Sequence, residues 1–186
     1  MAEPAASLTY AEYLALEKRT GVRHDFVGGR AIAMAGGTPE HARLCLAVGA
    51  ELRAALAGGP CVAYGSELKL LVEATGRATY ADAAVVCGEA EPSEIDRNAL
   101  TNPQVVVEVL SRGTEADDRG EKFAHYQRLP SLQEYVLVAQ DEARVEVFRR
   151  GNEAGEWVLK SFGPGDAFEL PSLGLRVSVD AVYGGG

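Results

Sequence analysis

Two apolar runs in the middle of the chain each contain a single carboxylate. Residues 79–87 form a nearly all-apolar segment around Asp82, and residues 103–110 form a second one around Glu108. Such runs are typical of buried strands. A charge that cannot reach water is costly unless another group pairs with it. These two positions are therefore the first candidates for a functional site.

Apolar spacing and capping residues predict three helices, at residues 10–18, from residue 39 to the Gly58-Gly59 pair, and at residues 115–129. The first helix begins at a capping box, in which Thr9 and Glu12 satisfy each other's backbone amides. Thr38 is the predicted N-cap of the second helix, with Pro39 at its first position. The third helix carries Lys122.

The remaining pattern predicts strands and turns. Gly28-Gly29 separates two strand-like runs, which is typical of a two-residue hairpin. Further strands are predicted at residues 61–64, 68–72, 79–87 and 104–110, followed by an antiparallel meander at 134–138, 144–149 and 157–162 and a last strand near 176–179. Residues 88–102 are acidic and predict a surface loop. Without a linker or repeat, residues 1–186 are expected to form one domain.

Composition limits the class of protein. The chain has 186 residues, 47% of them hydrophobic, which suits one core. No apolar run is long enough for a membrane span, and the N-terminus lacks the pattern of a signal peptide. Cys45, Cys61 and Cys87 are odd in number, lie among apolar neighbours and show no zinc-binding spacing, so they predict buried free thiols. Together these features predict a cytoplasmic protein.

The net charge of −9 argues against a non-specific nucleic-acid binder, whose surface is usually basic. It does not exclude a nuclease. Acidic ligands around a metal ion lower the net charge, and a local basic patch can still face a phosphate backbone.

Asp82, Glu108 and Lys122 together predict an oxygen-ligand site for a hard divalent cation. Each residue alone has a simpler interpretation. Asp82 could lie exposed at a strand end, and Glu108 could belong to a structural ion pair. Lys122 could form a helix-surface salt bridge with Asp118, four residues before it. The site hypothesis depends on the three residues occurring together.

The motifs around these residues resemble the Uma-two family of restriction endonucleases, which is similar in fold to the PD-(D/E)xK nuclease superfamily. The matching segments are Thr9-Tyr-Ala-Glu-Tyr, Arg23-His-Asp-Phe-Val, Thr38-Pro-Glu-His41, Tyr80-Ala-Asp82, Val106-Val-Glu108-Val-Leu-Ser111, Asp118-Arg-Gly-Glu-Lys122 and Glu134-Tyr-Val-Leu-Val. The resemblance covers residues 8–183, with short flexible termini outside it. It implies an α+β fold with a restriction-endonuclease-like core, in which helices flank a mixed central β-sheet and antiparallel strands are added.

The resemblance also implies roles for individual residues. Asp82 matches the aspartate of the PD element and Glu108 the acidic residue of the (D/E)xK element. Ala81 replaces the usual proline. Leu110 stands where the superfamily has its lysine, so Lys122 is the candidate replacement.

In a nuclease of this family Asp82, Glu108 and the backbone carbonyl of Val109 would hold Mg²⁺, with Mn²⁺ able to substitute. The metal would activate water against a DNA phosphodiester, and Lys122 would position that water or stabilise the developing charge. His41 and Asp25 are candidates for supporting contacts.

Three functions stay open on the sequence. The chain could be a Mg²⁺-dependent DNA endonuclease, a catalytically silent nuclease-like binding or regulatory protein, or a hydrolase of another phosphodiester. Exposed strand edges in the meander would also allow a homodimer or a higher homo-oligomer.

Overall fold

The computed structural model describes residues 7–184, which fold as two main β-sheets, a two-stranded sheet of Ala167–Leu170 and Leu175–Ser178, five α-helices and a short 3-10 helix at Pro171–Leu173. The predicted flexible termini lie largely outside this range. The helices are α1 (Tyr10–Thr20), α2 (Pro39–Ala55), α3 (Glu115–Arg119), α4 (Glu121–Tyr126) and α5 (Val179–Tyr183). The strands are β1 (His24–Val27), β2 (Arg30–Ala33), β3 (Cys61–Gly65), β4 (Lys69–Val72), β5 (Arg77–Tyr80), β6 (Ala83–Cys87), β7 (Ala99–Leu100), β8 (Val105–Val109), β9 (Glu134–Val138), β10 (Val145–Arg150), β11 (Trp157–Phe162), β12 (Ala167–Leu170) and β13 (Leu175–Ser178).

The larger sheet is mixed and has the strand order β11-β10-β9-β8-β6-β3. Strand β8 is central, antiparallel to β6 on one side and parallel to β9 on the other. Side chains alternate across a strand, so Val105, Val107 and Val109 pack into the core that α2 covers. Val106 and Leu110 pack on the opposite face, with residues of α4. Glu108 lies between Val106 and Leu110, so its side chain points to that second face, where it contacts α4.

The smaller sheet has the order β2-β1-β5-β4-β7. Its β1-β2 hairpin turns at Gly28 and Gly29, which both have positive φ as the sequence predicts. Helix α1 packs on this sheet through the buried Tyr13, which stacks on Phe26. The predicted capping box is present, because the Thr9 and Glu12 side chains accept each other's backbone N–H.

Two of the predicted elements are each divided in the structure. Residues 79–87 do not form one strand: β5 belongs to the smaller sheet and β6 to the larger one, with the change at Ala81 and Asp82. The helix predicted at 115–129 is also two helices, α3 and α4, which meet at Gly120. Both divisions occur beside candidate site residues, so they decide where Asp82 and Lys122 lie.

The cysteines differ from the prediction. Cys61 and Cys87 are direct partners across β3 and β6 and form a disulfide, so only Cys45 is a free thiol within residues 7–184. Disulfides are rare in the cytosol, and this one removes an argument for the predicted compartment. Within the same residues, no helix has the length and apolar character needed to cross a membrane.

Candidate active site

Asp82 lies at the point where the chain passes from one sheet to the other. It directly precedes β6, whose first residue, Ala83, pairs with Val107. Because Asp82 stands just outside the paired residues, its carboxylate can cross to the next strand. Its Oδ2 accepts a hydrogen bond of 2.7 Å from the backbone N–H of Val109. The division of the predicted strand therefore places Asp82 against the end of β8.

Glu108 and Lys122 form a buried ion pair. The Lys122 Nζ lies 2.8 Å from Glu108 Oε1, and the side chains are only 4% and 9% exposed. The Tyr126 hydroxyl, one helical turn after Lys122, donates to the same oxygen at 3.0 Å. Neutral and charged donors from one face of α4 thus fix the Glu108 carboxylate.

Asp118 belongs to the same cluster, and its ion pair with Lys122 is buried rather than on the surface. Its Oδ1 lies 3.3 Å from Lys122 Nζ, and the residue is 1% exposed. Its Oδ2 is buried and has no hydrogen-bond partner within residues 7–184. Burial raises the pKa of Asp118, with Lys122 opposing the shift. One lysine therefore serves two buried carboxylates.

The protonation states of Glu108 and Lys122 follow from these contacts. Burial raises the pKa of Glu108 to about 8; Lys122 opposes the shift, whereas Asp118 and Asp82 add to it. Burial alone would lower the pKa of Lys122, but Glu108 and Asp118 raise it above its usual value. Lys122 therefore stays protonated at neutral pH and acts as a cation, not as a base.

His41 completes the arrangement from the first turn of α2. Its Nε2 lies 3.4 Å from Asp82 Oδ2. The hydrogen bond with Asp82 raises the pKa of His41 although burial opposes it. Burial raises the pKa of Asp82, but the hydrogen bonds with His41 and the Val109 N–H lower it by more. The pKa of Asp82 is therefore below its usual value. Gly37 allows the preceding loop to approach, because a Cβ there would lie 2.7 Å from His41 Nδ1.

Asp25 lies at the edge of the cluster and, within residues 7–184, forms no hydrogen bond or ion pair with Asp82 or Glu108. It accepts a 2.7 Å hydrogen bond from Thr79 Oγ1 and lies 3.5 Å from the buried Arg77 guanidinium. Arg77 also pairs with Asp117 at 2.7 Å. Asp25 thus contributes negative charge near Lys122, as a neighbour rather than a ligand.

All of the predicted site residues line one cleft of about 880 Å³. Strand β2, the loop before α2 and residues 111–114 form its walls. Six carboxylates face it, against the cations Arg112 and Lys122 and the imidazole of His41. The carboxylates are Asp25, Asp82, Glu108, Asp117, Asp118 and Asp141. The cleft is therefore strongly acidic.

Sequence reasoning missed three residues that contact the predicted site residues: Tyr126, Asp118, and Cys45, whose Sγ lies 3.4 Å from His41 Nδ1. Tyr126 and Cys45 each lie four residues after a predicted site residue, Lys122 and His41 respectively, and thus on the same helix face. That spacing is the signal that could have found them. Asp118 was considered only as an exposed partner of Lys122, and helical spacing cannot show which face is buried.

The fold and the site define an α+β protein of nuclease-like architecture. The similar solved structures include the crystal structure titled "a putative nuclease belonging to DUF820" from Anabaena variabilis, with a TM-score of 0.72 and 17% sequence identity over 89% of this chain and 92% of that one. The predicted fold class is confirmed.

The chain belongs to the Uma2 family, described as "Putative restriction endonuclease", whose sequence pattern matches residues 10–180. Two relatives come from Synechocystis sp. One, uncharacterized protein slr1290, is 34% identical over 98% of this chain and 94% of its own length. The other, uncharacterized protein sll1609, is 30% identical over 82% of this chain and 85% of its own length. The resemblance recognised in the motifs is thereby confirmed.

Proposed function

We propose that this protein is a Mg²⁺-dependent endonuclease that hydrolyses DNA phosphodiester bonds, with Asp82, Glu108 and Lys122 as catalytic residues. The observation that carries the proposal is the convergence of Asp82 just before β6, Glu108 on the neighbouring β8 and the buried, protonated Lys122 at one cleft. Membership of the Uma2 family supports it.

The residues fit a hard divalent cation. Glu108, Asp118 and Asp82 crowd together, and the mutual repulsion adds to burial in keeping Glu108 protonated near neutral pH. Asp118 Oδ2 is left without a donor in residues 7–184. A cation would relieve both features, and oxygen ligands are those that Mg²⁺ and Mn²⁺ prefer. Asp82, Glu108 and the carbonyl of Val109 are the proposed ligands.

Each residue then has a role that follows from its contacts. A bound Mg²⁺ would polarise the scissile phosphate and make water a better nucleophile. Lys122 contributes a fixed positive charge that can stabilise negative charge developing on the phosphate. Tyr126 orients Glu108, and His41 and the Val109 N–H hold Asp82 ionised. Asp25 supports the site only through its charge.

The direct test is cleavage of supercoiled plasmid by the full chain with Mg²⁺ or Mn²⁺. We expect nicked or linear DNA with either ion and none after chelation by EDTA. Absence of cleavage with both ions, in protein shown to be folded, would contradict the assignment to DNA.

The acidity of the cleft favours a second candidate, a metal-dependent hydrolase of small phosphodiesters. Six carboxylates against Arg112 and Lys122 repel a long polyanion more than a substrate with one or two phosphates. Hydrolysis of bis(p-nitrophenyl) phosphate alongside the plasmid assay separates the two. Activity on the small ester without plasmid cleavage would favour the second candidate.

Metal binding is expected to release about one proton per ion near neutral pH, because a carboxylate ligand must be ionised. Burial raises the pKa of Glu108 to about 8, whereas the pKa of Asp82 is already depressed. Mn²⁺ affinity should therefore rise with pH up to about 8 and then level off. Calorimetric titration in two buffers of different ionisation enthalpy measures the proton directly. A pH-independent affinity without proton release would contradict the assignment of Glu108 as a ligand.

A further inference from the structure

His41, Cys45 and Asp82 bring three different metal-ligating groups together beside the cleft. His41 and Asp82 line the cleft, whereas Cys45 does not. His41 and Cys45 are one turn apart on α2, with Cys45 Sγ 3.4 Å from His41 Nδ1 and 4.0 Å from Nε2. The third group, Asp82 Oδ2, lies 3.4 Å from His41 Nε2. One ligand atom from each residue lies within 4.8 Å of the other two.

These separations are close to those of a tetrahedral zinc centre. With Zn–N and Zn–O near roughly 2.0 Å and Zn–S near roughly 2.3 Å, tetrahedral ligands lie about 3.3 Å (N to O) and about 3.5 Å (N to S) apart. His41 Nε2 lies 3.4 Å from Asp82 Oδ2 and 4.0 Å from Cys45 Sγ. The separation of Nε2 from Sγ is thus about half an ångström longer than in the ideal centre, and Sγ lies within 4.8 Å of the Asp82 ligand atom. Nε2 is the nitrogen that pairs with Asp82 Oδ2, although the thiol lies closer to Nδ1.

The donor set distinguishes this cluster from the oxygen site of Glu108. A thiolate and an imidazole are ligands for Zn²⁺ and poor ligands for Mg²⁺. Cys45 is available, since it is the free thiol of residues 7–184. Spacing along the chain does not show the site, because Asp82 comes from a different element of the fold.

We propose that His41, Cys45 and Asp82 bind one Zn²⁺, and that this ion excludes Mg²⁺ from the neighbouring site by occupying Asp82. The Zn²⁺ site stands on its own geometry. Its inhibitory effect rests on the proposed function, because it requires Mg²⁺-dependent cleavage to inhibit.

The binding test compares the wild type with Cys45→Ser by competition with a chromophoric zinc chelator. Loss of a neighbour that only orients a ligand weakens metal affinity about tenfold or more, so loss of a ligand should cost at least as much. Leu46→Ser is the matched control, since Leu46 is the next residue on α2 and is 76% exposed. Cys61 and Cys87 remain in every variant. Equal Zn²⁺ affinity in Cys45→Ser and Leu46→Ser would overturn the proposal.

A spectroscopic measurement needs no variant. Co²⁺ in a thiolate-containing tetrahedral site gives a sulfur-to-metal charge-transfer band in the near ultraviolet and intense visible bands. We expect both when Co²⁺ is added to the wild type under non-reducing conditions, and loss of both when Zn²⁺ is added in excess. A spectrum identical to aqueous Co²⁺ would overturn the site.

Inhibition is measured separately, as the Zn²⁺ concentration that halves the Mg²⁺-dependent cleavage rate of each variant relative to its own rate without Zn²⁺. That concentration should rise about tenfold or more in Cys45→Ser and stay unchanged in Leu46→Ser. Equal sensitivity of Cys45→Ser and Leu46→Ser to Zn²⁺ would contradict the proposed exclusion of Mg²⁺ by Zn²⁺. If no variant cleaves with Mg²⁺, the proposed function fails, and the chelator and Co²⁺ measurements still decide the Zn²⁺ site.

Discussion

Replacing Glu108 with glutamine is expected to lower the rate of Mg²⁺-dependent phosphodiester cleavage about a thousandfold or more. Metal polarisation of a phosphoryl oxygen is worth several kcal/mol, and about 4 kcal/mol corresponds to a factor of a thousand. Glutamine keeps the size of the side chain and an oxygen for the Tyr126 hydroxyl, but it removes the negative charge from the proposed ligand. Plasmid cleavage and Mn²⁺ calorimetry on the same preparation measure both consequences.

The chain supplies a matched control in Glu134→Gln. Glu134 is also a buried strand carboxylate, at 1% exposure, but it lies on β9 and accepts hydrogen bonds from Ser172. It does not line the cleft. Glu134→Gln should keep both cleavage and Mn²⁺ binding in its folded fraction. Cleavage in Glu108→Gln at the control's rate would rule out Glu108 as a catalytic ligand.

The sequence predicted that Glu108 is buried, because the three valines before it and Val109-Leu110 after it indicate a central strand. It could not predict the change of sheet at Ala81 and Asp82, because residues 80–87 are apolar apart from Asp82 and contain no glycine or proline to indicate a break. That change gives Asp82 its contact with the Val109 N–H. Local pattern indicates burial, but it does not indicate which sheet buries a residue.

The helical part of the site was predictable only in part, for a different reason. Lys122 was found through its motif, whereas Asp118 was interpreted only as its partner in a helix-surface salt bridge, because spacing alone does not show what covers a helix. Cys45 fits an apolar stripe as well as it fits a metal site. The Cys61–Cys87 disulfide depends on the pairing of β3 with β6, 26 residues apart. Such long-range contacts are properties of the tertiary fold.

Lys122→Met is expected to destabilise the fold by about 3–5 kcal/mol, because it leaves Glu108 and Asp118 as buried acids without a cation. Urea unfolding above about pH 8, where Glu108 is ionised in the wild type, measures the change in the free energy of unfolding. The double variant Lys122→Met/Glu108→Gln should recover part of this loss, since one of the two buried charges is then removed. A loss below about 1 kcal/mol would be typical of an exposed salt bridge and would contradict the buried pair.

Lys69→Met is the control that separates the effect of Lys122→Met on stability from its effect on cleavage. Lys69 is 5% exposed and lies 2.8 Å from Glu17 and 2.9 Å from Asp96, so it also serves two acids, but it does not line the cleft. It should therefore cost about as much stability as Lys122→Met. Folded Lys69→Met should still cleave, whereas folded Lys122→Met should not, because only Lys122 contributes charge at the phosphate in the proposed mechanism. If both variants cleave equally well when folded, Lys122 is a structural cation, and the charge that stabilises the phosphate must come from another group.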